Sequence, residues 1–280
     1  MRISVENLHY TYNKGTPLEI EALKGIDFEL EHGMTLGILG GTGSGKTTLI
    51  KTLNGLLLPT KGRVSVNGTD TRDFGPDLRR RVGLVLQRPE RQLFEETVYR
   101  DISYVLRRFA DLSHDEIKAR VGEVCLLLGL DLDKLAERVP TALSEGEKRK
   151  VAIAGVLANK PETLILDEPA VGLDPPAMVD LTETLLKLKA SGTVTIVIVS
   201  HDMERFLPLL DLIMILDNGR VTGLGPPAET CLALAGDPEM RRVLPGLVLL
   251  VHGLREAGYD IDPKTLDPSL IADQIIEANS

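Results

Sequence analysis

An α/β fold with an open, largely parallel sheet is predicted by two observations. The first is a strand, a glycine-rich loop and a helix in unbroken succession, "MTLGILGGTGSGKTTLIKTLNG", Met34 to Gly55. The second is that three more apolar runs, "VGLVLQ" (to Gln87), "TLILDEP" (to Pro169) and "TIVIVSHD" (to Asp202), each end in polar residues. In open α/β sheets ligands sit at the carboxyl ends of the strands, so these runs aim polar groups at one crevice. With 280 residues, 43% of them hydrophobic, the chain has ample material for such a core.

The elements follow in order. Residues 1 to about 87 should form the first half of the core with an antiparallel β part, in which "GRVSVNGTD" turns at Asn67-Gly68. The helix after the glycine-rich loop starts at about Lys46 and stops at Asn54 and Gly55, with Pro59 beyond. Residues 88 to about 143 read as a helical insert, where Ile117, Val121, Val124 and Leu128 mark one apolar helix face and Ser113 and Glu116 form a capping box. The core resumes to about residue 228 and includes "DLIMILDNGRVTG", two strands joined at Asn218-Gly219. Residues 229–280 form a short tail, in which "GLVLLVHGLREAG" and "PSLIADQIIEAN" read as helices.

The loop itself fits G-x-x-x-x-G-K-[ST], from Gly40 through Gly41, Thr42, Gly43, Ser44 and Gly45 to Lys46 and Thr47. Glycine is needed because consecutive amides must turn inward, where a Cβ would often obstruct, to present N–H donors to phosphate oxygens. The following helix adds the positive end of its dipole, Lys46 reaches the β and γ phosphates, Thr47 offers its hydroxyl to Mg²⁺, and Thr48 is placed for the α phosphate. Asp167 supplies the metal-holding carboxylate, and Glu168 beside it would polarise the attacking water. The ligand implied is a nucleotide phosphate with Mg²⁺.

Composition narrows the partners. Lys plus Arg is 32 against 41 Asp plus Glu, so there is no generalised basic surface and no nucleic-acid partner is expected. "MRISVENLHY" lacks the apolar core of a signal peptide, and no apolar run approaches the ~20 residues of a membrane span. A soluble, cytosolic chain is expected. Cys125 and Cys231 read as reduced buried thiols, and His9, His32, His114 and His252 as surface or packing histidines.

The segment "ALSEGEKRKVAIAGVLANKPETLILDEPAVGLD", residues 142–174, resembles the ATP-binding cassette (ABC) ATPases, whose signature reads LSGGQ just before the acidic strand. Here the signature is Leu143, Ser144, Glu145, Gly146 and Glu147, so two positions depart from the family form. Ser144 and Glu147 are also a capping box, and both properties can hold, since a capped helix start is also an anion-binding surface. The resemblance implies a P-loop NTPase with a RecA-like core, an antiparallel β subdomain, a helical subdomain and a short C-terminal helical extension. It implies a sandwich dimer in which Ser144 and Gly146 of one subunit close over ATP held by Lys46 of the other. Asp174 would communicate between the two sites, Gln87 would sense the γ phosphate and metal, and His201 would contact the γ phosphate. Tyr12, with Tyr10 as the alternative, would stack on adenine.

A narrower resemblance rests on "YNKGTPLEIEALKGIDFEL" (Tyr12 to Leu30), "RPERQLFEETVYRDISY" (Arg88 to Tyr104) and "KVAIAGVLA". These look like the ATPases of energy-coupling-factor (ECF) importers of cobalt, nickel or vitamins. The group implies a second ATPase subunit, a transmembrane coupling subunit and a substrate-binding membrane subunit, with this chain peripheral on the cytoplasmic face of the cell membrane. Arg88 to Glu96, with Leu93 and Phe94 as apolar anchors, is the candidate dock, and the tail would help pair two ATPase subunits. The alternative is an ABC ATPase acting mechanically on nucleic acid or ribosomes. Lys46 and Ser144 are only 98 residues apart, and there is one cassette, against the long insertions or paired cassettes of such relatives.

Overall fold

The computed structural model describes residues 2–278; Met1, and Asn279 and Ser280 at the end of the expected tail, lie outside the described residues. The chain runs β1 (Ile3–Tyr12), β2 (Ile20–Leu30), β3 (Thr35–Leu39), α1 (Lys46–Leu53), β4 (Lys61–Val66), β5 (Thr69–Asp70), α2 (Thr71–Phe74), α3 (Leu78–Arg81) and β6 (Val82–Val85). It continues through α4 (Val98–Phe109), α5 (His114–Leu127), α6 (Leu132–Leu135), α7 (Glu145–Leu157), β7 (Thr163–Asp167), α8 (Pro175–Ala190), β8 (Thr195–Val199), β9 (Leu212–Asp217) and β10 (Arg220–Gly225). It ends with α9 (Pro227–Leu234), α10 (Gly246–Glu256) and α11 (Pro268–Ala278).

A six-stranded sheet in the order β10-β9-β3-β8-β7-β6 is parallel except for the β9-β10 hairpin. Its central strands are buried along their whole length, and alternate side chains go to two different cores. Leu164, Leu166, Ile196 and Ile198 face the helical layer with Val98, Ile102, Ile117 and Val121. Ile165, Val197 and Val199 face Leu49, Ile50 and Leu53 of α1 and, beyond them, an antiparallel sheet in the order β2-β1-β4-β5. The parallel strands therefore bring all their carboxyl ends to one edge.

Local chemistry sets the boundaries. Asn67 and Gly68, and likewise Asn218 and Gly219, have φ of 51°, 80°, 46° and 79°, the paired left-handed turn that suits a two-residue hairpin. α1 closes at Asn54, followed by Gly55 at φ 73°. Both expected capping boxes form, at Ser113 and Ser144. β6 stops at Val85 rather than running to Gln87, because the Gln92 side chain takes over the ladder, accepting from Leu86 N at 2.7 Å and donating to Leu84 O at 2.9 Å. Helix α9 crosses the boundary expected at residue 228, and α10 and α11 enclose a small core of Val251, Ile261 and Ile271.

Candidate functional site

The loop between β3 and α1 is shaped for close backbone approach. A Cβ on Gly40 would fall 2.2 Å from Leu216 O, and one on Gly45 would fall 2.8 Å from Ala22 O, where φ is already 105°. Side chains are excluded there, while the α1 N-terminus carries no side-chain cap and no acidic residue in its first turn. Its amides and dipole are thus left for an anion. Ser44 Oγ is buried with no hydrogen-bond partner, an orphan that a phosphate oxygen would satisfy. Lys46 Nζ lies across the loop, donating to Gly40 O at 2.7 Å and Gly41 O at 2.9 Å. Burial lowers its pKa, and the charges of Glu168 and Asp167 oppose that shift. Thr42, Gly43 and Thr47 are exposed on the open side of the loop, and Thr48 is buried beneath it.

Tyr10 and Tyr12 share one face of β1, their rings edge to face at 4.8 Å. Tyr10 packs into the antiparallel core, whereas the Tyr12 hydroxyl is hydrogen-bonded to Thr48 Oγ1 at 3.2 Å, which sets Tyr12 over the first turn of α1.

Asp167 ends β7 and is buried. Burial, reinforced by the charge of Glu168, pushes its carboxyl up to about 6, against the pull of Lys51, Lys46 and Arg149. Glu168 turns away at φ 49°. Its N–H donates to Val199 O at 2.8 Å, and its carboxylate accepts from His201 N at 3.1 Å and Ser200 Oγ at 3.3 Å and meets His201 Nδ1 at 2.8 Å. The ring of His201 is otherwise exposed, so Glu168 and His201 form one hydrogen-bonded pair just past the ends of neighbouring strands β7 and β8. Gln87 is exposed, two residues past the end of β6 on the far side of β7. Thr47, Asp167 and Gln87 offer hydroxyl, carboxylate and amide oxygens, a donor set that fits a hard cation such as Mg²⁺. Among the described residues no group of three His, Cys, Asp or Glu side chains is arranged to hold a metal.

The signature segment lies elsewhere, at the start of α7. Ser144 N and Oγ both donate to Glu147 Oε2, at 2.8 and 2.9 Å, and Glu147 N donates back to Ser144 Oγ at 3.3 Å. The backbone and side-chain bonds from Ser144 hold the Glu147 carboxyl below its usual range. Glu145 pairs with Lys148 at 2.8 Å. Gly146 faces α8, where a Cβ would sit 3.5 Å from Ala177, and Asp174 caps that helix by accepting from Ala177 N at 2.9 Å. Ser144, Gly146, Glu147, Arg138 and Lys150 line an open cavity of about 380 Å³.

The sequence pattern of the family described as ABC transporter matches residues 23–171, more than half of the chain. The chain belongs to the ABC transporter family. Among its relatives, this ABC ATPase is similar to the energy-coupling factor transporter ATP-binding protein EcfA2 of Caldanaerobacter subterraneus subsp. tengcongensis, 40% identical over 95% of this chain and 93% of that protein. It is also similar to the EcfA2 of Clostridium perfringens, 38% identical over 99% and 98% of the two chains. Among solved structures it resembles CbiO1 from Clostridium perfringens, described as part of the ABC transporter complex CbiONQ, with a TM-score of 0.74, 35% identity and coverage of 91% of this chain and 98% of that one. A dimeric ATP-binding cassette, MJ0796, bound to ADP and Pi matches with a TM-score of 0.71 and 28% identity over 80% of this chain and 98% of that one. The ABC ATPase is thus an ATP-hydrolysing subunit of the energy-coupling-factor type, with hydrolysis coupled to transport.

Two features of the ATPase lie beyond the motif reading. Arg149 is buried on α7, as its position three and four residues before the buried Ala152 and Ile153 would suggest. Leu93 packs against the main core, while Phe94 is 66% exposed and stacks edge to face on Tyr104 at 4.8 Å, so the two proposed anchors are not equivalent.

Proposed function

We propose that the ATPase binds Mg·ATP on the β3-α1 loop and hydrolyses it in a two-subunit sandwich that drives uptake through a membrane partner. The observation that carries this reading is the convergence of an uncapped, glycine-built phosphate cradle with Asp167, the Glu168-His201 pair and Gln87 at one sheet edge. Lys46 and the loop amides hold the β and γ phosphates, Thr48 lies at the α phosphate, and Tyr12 carries adenine. Thr47, Asp167 and Gln87 hold Mg²⁺, which when bound neutralises developing charge on the phosphates. Glu168 takes a proton from the attacking water, and His201 orients that carboxylate and meets the γ phosphate. Ser144 and Gly146 close over the ATP of the partner subunit, and Asp174, the N-cap of the helix that Gly146 faces, links the two sites.

The membrane partner docks beside Phe94. A groove of about 440 Å³, apolar at Leu56, Leu84, Leu86, Val105 and Phe109 and rimmed by Asp77, Arg79 and Arg80, lies between the sheet and α4, and Gln92 connects it to the end of β6. An apolar groove of this kind suits a short helix from the transmembrane coupling subunit. A substrate-binding membrane subunit completes the complex, and the ATPase sits on the cytoplasmic face. The relatives' names, an energy-coupling factor transporter and part of an ABC transporter complex, favour transport over mechanical work on nucleic acid, and a metal ion or vitamin is the cargo that the resemblance to ECF importers implies.

The test is Lys46→Ala in the intact complex purified from native membranes. Loss of ATP hydrolysis and of uptake, with the membrane subunits still copurifying, is expected. Wild-type turnover would refute the phosphate-loop assignment, and copurification of ribosomes instead of integral membrane proteins would refute the transport reading.

A further inference from the structure

Arg149 is 3% exposed, and its guanidinium is divided between two carbonyls. Nη1 donates to Leu86 O at 3.3 Å and Nη2 to Val171 O at 3.0 Å. Leu86 immediately precedes Gln87, and Val171 is three residues beyond Glu168. Nε is buried without a partner. Helix packing alone does not call for such a group, since an apolar side chain of similar volume in a buried site is usually as stable or more so. What the fork provides is a fixed distance between two loops from different parts of the chain, set from a helix that begins at Ser144. Arg149 is five positions after Ser144, about 7.5 Å along the helix axis.

We propose that Arg149 is a positioning residue that ties the signature end of α7 to the Gln87 turn and to the loop after Glu168. It acts on hydrolysis through those two groups and touches neither nucleotide nor metal. A shift of α7 as Ser144 closes on the partner's ATP then carries both loops with it, so signature engagement and placement of Gln87 and Glu168 happen together. The inference rests on the roles proposed above for Gln87 and Glu168.

The experiment compares Arg149→Met, which keeps volume without donors, and Arg149→Lys, whose single ammonium cannot span both carbonyls, in the full-length dimer. Both should melt close to wild type and bind ATP normally, with KM within about threefold, while kcat falls by about tenfold or more. In a Gln87→Ala background the same Arg149→Met substitution should have a much smaller effect on kcat, the non-additivity expected of residues acting through one another. Wild-type kcat in Arg149→Met overturns the proposal, as does a full additive loss in the Gln87→Ala background. Unfolding of both variants would make Arg149 a structural residue and also overturns it. If Gln87→Ala and Glu168→Gln alone retain wild-type turnover, the failure lies instead with the site roles.

Discussion

Ser144 caps α7 and, in the proposed sandwich, would also contact the partner's ATP, and a pair of small substitutions tells the two roles apart. As the N-cap of α7 its Oγ accepts from Glu147 N at 3.3 Å and donates to the Glu147 carboxylate at 2.9 Å. Ser144→Ala removes both bonds and should cost about 1 kcal/mol, whereas glycine at an N-cap costs only a few tenths relative to serine. For a chain of this size that is a fall of about 2–4 °C in melting temperature for alanine and little change for glycine. Neither variant has a hydroxyl to give to a partner's γ phosphate. A hydrogen bond to a charged group contributes about 1.5–3 kcal/mol, so both should lose about 10- to 100-fold in turnover at saturating ATP. Thermal denaturation alongside a steady-state phosphate-release assay reads both quantities. In a Glu168→Gln background, light scattering should show less ATP-bound dimer for both variants. Turnover that follows stability, with glycine near wild type and alanine impaired, would refute the contact in trans and leave Ser144 a helix cap.

Glu168→Gln should keep ATP binding but slow hydrolysis by about 10²- to 10⁴-fold, so that a dimer accumulates with ATP; a monomer under those conditions contradicts the sandwich. In the nucleotide- and metal-free protein, the Asp167 carboxyl is pushed up to about 6 from an ordinary 3.8, so the folded chain holds this proton more tightly than the unfolded one. The stability it contributes is fully present below pH 3.8 and is lost as pH rises through about 6. Asp167→Asn should therefore gain on wild type across that window, by at most about 3 kcal/mol, and a urea-denaturation difference that is flat between those pH values contradicts it. Phe94→Ser should leave melting near wild type and release the membrane partner, whereas Leu93→Ser should melt lower because Leu93 is packed on the core. Equal destabilisation by the two would place Phe94 in the core as well.

Much of this architecture was legible because it is local. A glycine-rich loop, two capping boxes and two Asn-Gly turns each carry their geometry in four to eight consecutive residues, and Ile117, Val121, Val124 and Leu128 are all buried as their spacing requires. Asp167 and Glu168 could be placed at a strand end for the same reason. What the sequence did not reveal depends on partners distant in the chain. Gln92 ends β6 at Val85, before the apolar run itself ends at Leu86, so Gln87 lies beyond the sheet. Leu93 and Phe94 look alike in a charged segment, and only the packing of the helical layer separates them. The bond between Glu168 and His201 joins residues 33 apart, and no pattern in either segment announces it.

The backbone of Glu168 has a consequence for anyone who selects this protein for robustness. At φ 49° a residue with a Cβ sits where glycine would rest more easily, by about 1–2 kcal/mol. The surrounding network keeps it there: Val199 fixes its amide, and Ser200 and His201 fix its carboxylate. Glycine at this position would relax the kink and, with it, remove the carboxylate proposed as the base. A library sorted on heat resistance alone would thus drift toward sequences that are hardier and inert.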